Sequence, residues 1–226
     1  MLETFRPQVA IVDYGMGNLF SVKHACESVG LKASITASRQ EILAADAVIL
    51  PGVGAFGDAM ATLVRLQLVD VLRQVAASGK PLVGICLGMQ LFMTRSYEFG
   101  CHEGLSIIEG EVVRFESPAE GAARLKVPQV GWNQIHGNGA WKGSLLDGLQ
   151  GGEFMYFVHS FYAIPADSRV VLSTTRYGHI EFCSSLSHGN VFACQFHPER
   201  SGPQGLRIYQ NLAERIRVRV GEVQRV

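Results

Sequence analysis

Short apolar runs alternate with stretches of helical spacing through the first part of the chain, and this alternation limits the available folds more than any other feature. Val9-Ala10-Ile11-Val12 is such a run, ending at Asp13. After the tight loop Gly15-Met16-Gly17-Asn18, the residues Leu19, Val22, Cys26 and Val29 recur at helical spacing until Gly30. Ala33-Ser34-Ile35 reads as a second strand, Ile42 to Ala45 as a short helix, and Ala47-Val48-Ile49-Leu50 as a third strand. From Val64 to Ala77, Leu68, Val71, Leu72, Val75 and Ala76 share one side of a single expected helix, ended by Ser78-Gly79-Lys80-Pro81. A fourth apolar run, Pro81 to Ile85, leads into Cys86. Strands alternating with helices at this pitch predict a parallel, doubly wound sheet. Ligands on such sheets lie beyond the carboxyl ends of the strands, where Gly52 and Cys86 both fall.

Near Ile107 the texture changes. Ile107 to Phe115, Gln129 to Ile135, Glu153 to Ala163, Val170 to Thr175, His179 to Cys183 and Val191 to Phe196 are strand-like, with Gly, Pro, Asn and Asp between them. This half is expected to extend the sheet in mixed or antiparallel fashion. Gly205 to Val218 closes the chain as a helix, with Leu206, Tyr209, Leu212, Ala213 and Ile216 in phase. Without repeats, low-complexity segments or a visible linker, residues 1–226 are expected to form one domain.

Formal net charge is zero, so no pull towards nucleic acid or an anionic membrane is expected. The five cysteines include no CxxC pair, which argues against a zinc site or disulfide framework and for a reducing compartment. Met1 to Pro7 carries Glu3 and Arg6 and lacks the apolar core of a signal peptide. No apolar run approaches the ~20 residues that span a bilayer. A cytoplasmic protein is expected, with no metal and no cofactor.

Three stretches could carry chemistry. Gly84-Ile85-Cys86-Leu87-Gly88 is a Gly-x-Cys-x-Gly at a strand-to-helix junction, the cysteine form of a nucleophile elbow. Glycines at both flanks let the chain turn tightly around Cys86, and a helix N-terminus there favours a thiolate. A buried structural cysteine is the plainer alternative. Gln195-Phe196-His197-Pro198-Glu199 follows an apolar strand, and Pro198 places His197 and Glu199 at its exit. A histidine there can act as base and acid, with a carboxylate to orient it; a solvated turn is the alternative. Cysteine, histidine and carboxylate together make a triad in any chain order. Pro51-Gly52-Val53-Gly54-Ala55-Phe56-Gly57 matches G-x-G-x-x-G, a weak dinucleotide signal. The following strand ends in Cys86 rather than an acidic residue. This favours backbone N–H groups of Gly52, Val53 and Gly54 turned towards an oxyanion, with the N–H of Leu87 beside them. A glycine turn that serves packing alone, or an inert regulatory module built on the same sheet, stays open.

Gly84-Ile85-Cys86-Leu87-Gly88-Met89-Gln90 with His197-Pro198-Glu199 resembles the class I (triad) glutamine amidotransferases. Four further blocks narrow the resemblance to the glutaminase subunits of imidazole glycerol-phosphate synthases. They are Asp13 to Asn18, Pro51 to Met60, Val127 to Asn133 and Tyr156 to Tyr162, and the likeness runs from about Val9 to Leu212. It implies an α/β fold with a doubly wound, flavodoxin-like open sheet, mostly parallel, and a β-rich antiparallel extension in the C-terminal half. It implies Cys86, His197 and Glu199 as catalytic groups acting on L-glutamine. Gln90, Glu98, Ser160 and Phe161 would hold the amino-acid end of the substrate. It also implies a heterodimer with a (β/α)8-barrel cyclase, which would use the released ammonia in histidine biosynthesis. Gln129, Trp132, Asn133, Tyr156 and Arg200 fall in the stretches that would face that partner. The family often has histidine where this chain has Gln129 and lysine where it has Arg200.

Overall fold

The computed structural model describes residues 6–116, 125–137 and 141–223. The first residues of the stretch Met1 to Pro7, read above for a leader, lie outside these. The first half runs β1 (Gln8–Val12), α1 (Leu19–Ser28), β2 (Lys32–Thr36), α2 (Arg39–Ala44), β3 (Ala47–Gly52), α3 (Phe56–Arg65), α4 (Val69–Ala77), β4 (Leu82–Cys86) and α5 (Leu87–Leu91). The second half runs β5 (Arg95–Ser96), β6 (His102–Glu103), β7 (Gly110–Arg114), β8 (Gln129–Ile135), β9 (Glu153–His159), β10 (Phe161–Pro165), β11 (Val171–Tyr177), β12 (Ile180–His188), β13 (Val191–Cys194) and α6 (Gly202–Val223).

Among the described residues, seven strands form one sheet in the order β11-β12-β13-β4-β3-β1-β2. The five from β13 to β2 are parallel, and β12 and β11 add to them antiparallel. Side chains alternate between the two faces because the strand period is two. Ala10, Val12, Val48, Leu50 and Leu82 meet α3 and α4 on one face. Val9, Ile11, Ala47, Ile49, Val83 and Ile85 meet α1 and α6 on the other. The central strands are buried on both faces, which is why they read as unbroken apolar runs. No helix among the described residues is long and apolar enough to cross a membrane.

Three expectations need correction. The helix expected from Val64 to Ala77 is two helices, α3 and α4, separated at Gln67, whose φ is 57°. Backbone N–H groups of Leu66, Gln67 and Leu68 turn back to Thr62, Val64 and Leu63 and close α3 there. Its start was hidden by the glycines of the preceding loop and by a non-local cap: Phe56 N donates to Glu98 Oε2 at 2.6 Å. The single strand expected from Glu153 to Ala163 is split at Ser160, because β9 pairs with β8 and β10 pairs with β7. The β-rich half is therefore only partly an extension of the main sheet. Its remaining strands form a small sheet, β10-β7-β5-β6, and a two-stranded ribbon, β8-β9.

Candidate active site

The turn from β4 into α5 places Cys86 at φ 56° and ψ −110°, a strained conformation for a residue with a side chain. The strain is held by packing that leaves no room for alternatives. A Cβ on Gly88 would overlap the Leu50 carbonyl oxygen, and one on Gly84 would meet Phe92 at 2.7 Å. Cys86 Sγ faces Val158 O at 3.9 Å and receives Gln195 Nε2 at 3.7 Å.

His197 and Glu199 emerge just past β13, in a short 3-10 turn over Pro198–Arg200. His197 Nδ1 lies 2.8 Å from Glu199 Oε1, and the two side chains are 5% and 1% exposed. Burial alone would lower the His197 pKa. The charge of Cys86 and the bonded Glu199 carboxylate outweigh burial and lift it to about 10. His197 Nε2 has no hydrogen-bond partner of good geometry among the described residues, yet Cys86 acts on the ring both through its charge and as a nearby hydrogen-bonding group, and the Cys86 sulfur lies 3.9 Å from Val158 O. Ser201, which the sequence reading passed over, clamps the turn: its hydroxyl donates to His197 O at 2.7 Å and accepts from Tyr156 N at 3.0 Å.

Gly52 lies opposite Cys86 in the β3–β4 register. Tyr14 O–H donates to Pro51 O at 2.9 Å, and a Cβ on Gly52 would overlap that hydroxyl. Beyond this pinned point Gly54 has φ +105° and Val53 is half-exposed. The third glycine of the motif, Gly57, sits inside α3 against the His102 ring. The loop thus lies beside the sulfur rather than opening a dinucleotide crevice.

A cleft of about 270 Å³ opens over the sulfur. Val53, Gly54 and Leu87 line one side of it, and Gln90, Glu98, Ser160 and Phe161 line the rest, together with Pro128, Val158 and His159. Gly52 and the His197–Glu199 pair are not on its surface. A larger cleft of about 600 Å³ beside Gly79, Asp147 and Arg219 holds none of these groups. His159 is forced neutral: burial, with His197 adding to it, lowers its pKa to about 4, and its Nδ1–H donates to Phe161 O at 2.8 Å.

Of the residues expected to face a partner, Trp132 is 55% exposed and packs edge-on against Tyr156 at 6.1 Å. Arg200 lies over the Tyr156 ring at 4.5 Å. Asn133 Nδ2 is tied to Arg176 O at 2.9 Å. Gln129 differs from them: it is buried inside the ribbon, opposite His159, with both amide atoms unpartnered.

The doubly wound sheet thus carries a thiol on a strained elbow and a glycine loop beside one small cleft, with a buried His–Glu pair just past β13. Residues 10–216 match the class-I glutamine amidotransferase family, and the chain belongs to it. Within that family the relatives point to one branch. The chain is 47% identical over 209 residues to the imidazole glycerol phosphate synthase subunit HisH of Moorella thermoacetica, covering 92% of this chain and 95% of that one. It is 48% identical over 205 residues to the same subunit of Rhodopirellula baltica, covering 91% and 96%. Among solved structures, PurLQS of Thermotoga maritima shares the fold, with a TM-score of 0.70 at 21% identity over 94% of this chain and all of that one. A glutamine amidotransferase of Thermotoga maritima does so with a TM-score of 0.60 at 12% identity, over 95% and 87%.

Proposed function

We propose that Cys86, His197 and Glu199 are the groups with which this chain, a glutaminase subunit of imidazole glycerol phosphate synthase, hydrolyses glutamine to glutamate and ammonia. The reading rests above all on the meeting of Cys86 with the Gln90, Glu98, Ser160 and Phe161 wall in one cleft, and on His197, held by Glu199, being close enough to Cys86 for the two to interact.

Cys86 sulfur attacks the carboxamide carbon of glutamine, and the proton of the thiol resides on His197. The negative charge moves to the carboxamide oxygen, which the N–H of Leu87 and one N–H from Gly52 to Gly54 stabilise. Such a donor is worth roughly 2.7–4 kcal/mol in comparable sites. His197 gives its proton to the leaving nitrogen, ammonia departs, and a glutamyl thioester remains. His197 then takes a proton from water, the hydroxide adds to the thioester, and collapse returns glutamate and the thiolate. Glu199 holds the imidazole tautomer throughout. The ammonia passes to a (β/α)8-barrel cyclase subunit, which forms imidazole glycerol phosphate and aminoimidazole carboxamide ribotide, a cytoplasmic step of histidine biosynthesis. Tyr14 pins Pro51, so rotation of the Gly52–Val53 and Val53–Gly54 peptides is the natural means of coupling the rate to the partner.

Ammonia release from glutamine, measured with and without the cyclase and its ribotide, tests the reading. Cys86→Ala abolishes release in both conditions. Glu199→Gln costs less than His197→Ala, because nucleophile and base remain. Ammonia release by the Cys86→Ala complex would refute the triad.

A further inference from the structure

Gln195 has no part in the mechanism above, yet it is fully buried and touches the nucleophile. Its Oε1 accepts from Gln90 Nε2 at 3.0 Å, and its Nε2 reaches Cys86 Sγ at 3.7 Å. Gln90 Nε2 donates a second time, to Phe161 O at 2.9 Å. The same carbonyl accepts from His159 Nδ1.

A backbone carbonyl can only accept, and this decides the direction of the whole chain of bonds. Phe161 O requires the NH2 end of Gln90. With that end placed, its second hydrogen requires an acceptor, so Gln195 must present Oε1 there. Gln195 Nε2 is then compelled to face the sulfur. Flipping Gln90 would set its oxygen against Phe161 O and Gln195 Oε1, and flipping Gln195 would set its NH2 group against that of Gln90, each at the cost of a lost bond in a buried site. Two consequences follow. Gln90, on the wall of the cleft, is left with its carbonyl oxygen to accept from the substrate's ammonium. A donor is aimed at the sulfur, where it favours a charged acceptor over a neutral one.

We propose that Gln195 is a positioning residue that works in two directions, orienting Gln90 for the amino-acid end of glutamine and donating a hydrogen bond to Cys86 Sγ. The inference rests on the glutaminase reading and deepens it. Two substitutions separate its two halves. Gln195→Glu, assayed at a pH where its carboxyl is ionised, retains an acceptor for Gln90 and loses the donor to sulfur. Gln195→Met retains the length and loses both.

Steady-state glutaminase kinetics are measured on the complex with the cyclase and its ribotide. Thermal unfolding and the ammonia-driven cyclase rate serve as controls for folding and assembly. Gln195→Glu is expected to lower kcat by about tenfold or more, with KM within about twofold of wild type. Gln195→Met is expected to lower kcat similarly and to raise KM about three- to tenfold. In a Gln90→Met background, Gln195→Met should add nothing further to KM, since the amide it orients is gone. Unchanged kcat in Gln195→Glu, unchanged KM in Gln195→Met, or additive KM effects in the double variant would each overturn the proposal. If the buried carboxylate prevents folding, the uncharged Gln195→Met series carries the test alone. Cys86→Ala as a parallel arm keeps the two readings apart: its inactivity with indifferent Gln195 variants removes the role of Gln195 and leaves the triad standing.

Discussion

Two histidines near the cleft are driven in opposite directions by their surroundings. His159 lies among Phe115, Phe157 and Phe182, and its charged form has no counter-ion there. His197 is as deeply placed but faces Cys86 and Glu199, so its charged form is favoured. For His159 the folded pKa, about 4, lies below the unfolded value of 6.5. The unfolded chain takes up the proton first, and stability falls as pH drops from about 6.5 towards 4. At about 1.4 kcal/mol per pH unit, the loss comes to about 3 kcal/mol. For His197 the folded pKa lies above the unfolded one, so its contribution is full below about 6.5 and is lost as pH rises towards 10. Urea unfolding across this range should show the acid limb flattened in His159→Leu and the alkaline limb retained.

At the scale of elements, the β4–α5 elbow and the β13 exit are held by different means. The elbow depends on absent side chains. Gly88→Ala drives a methyl into the Leu50 carbonyl and should cost more than about 4 kcal/mol, read as loss of folded protein or a collapsed urea midpoint. The β13 exit depends on hydrogen bonds and on α6. Tyr209 of α6 is buried against this region with an unpartnered hydroxyl. Tyr209→Phe removes that unpaired group, and stability should hold or rise by about 1 kcal/mol in the same assay. Strand alternation, the elbow and the His-Pro-Glu exit were all legible from local pattern. The start of α3 was not, because its cap comes from Glu98, far along the chain. The break at Ser160 was equally invisible, since Glu153 to Ala163 reads as one strand-like run and only partner choice divides it.

On the scale of the molecule, the β8–β9 ribbon packs against the main sheet, bridged to β11 between His136 and Thr174, and its outer face carries Val130, Trp132 and Phe154, each more than half exposed. Tyr156 lies on the same face opposite Trp132, and its backbone ties the ribbon to the β13 exit: its carbonyl accepts from His197 N at 2.9 Å and its N–H donates to Ser201 Oγ. A partner seated on this outer face would therefore press on the strand whose backbone holds His197. Trp132→Ala should weaken association with the cyclase by about tenfold or more, as central aromatic anchors do, without moving the melting temperature of the isolated chain. Titration of the two subunits by calorimetry reads the first quantity, and a thermal melt reads the second.

Local chemistry was enough to announce a parallel sheet, a thiol on a strained turn and an imidazole with its carboxylate, because strand period, glycine flanks and the His-x-Glu spacing act between near neighbours. Which groups meet across the chain was settled only by folding. Gln195 against Cys86, Tyr14 against Pro51, Glu98 against Phe56 and Gln129 turned inward opposite His159 are contacts between segments distant in sequence. Hydrogen bonds of this kind depend on distance and angle in space, and residue order alone holds neither.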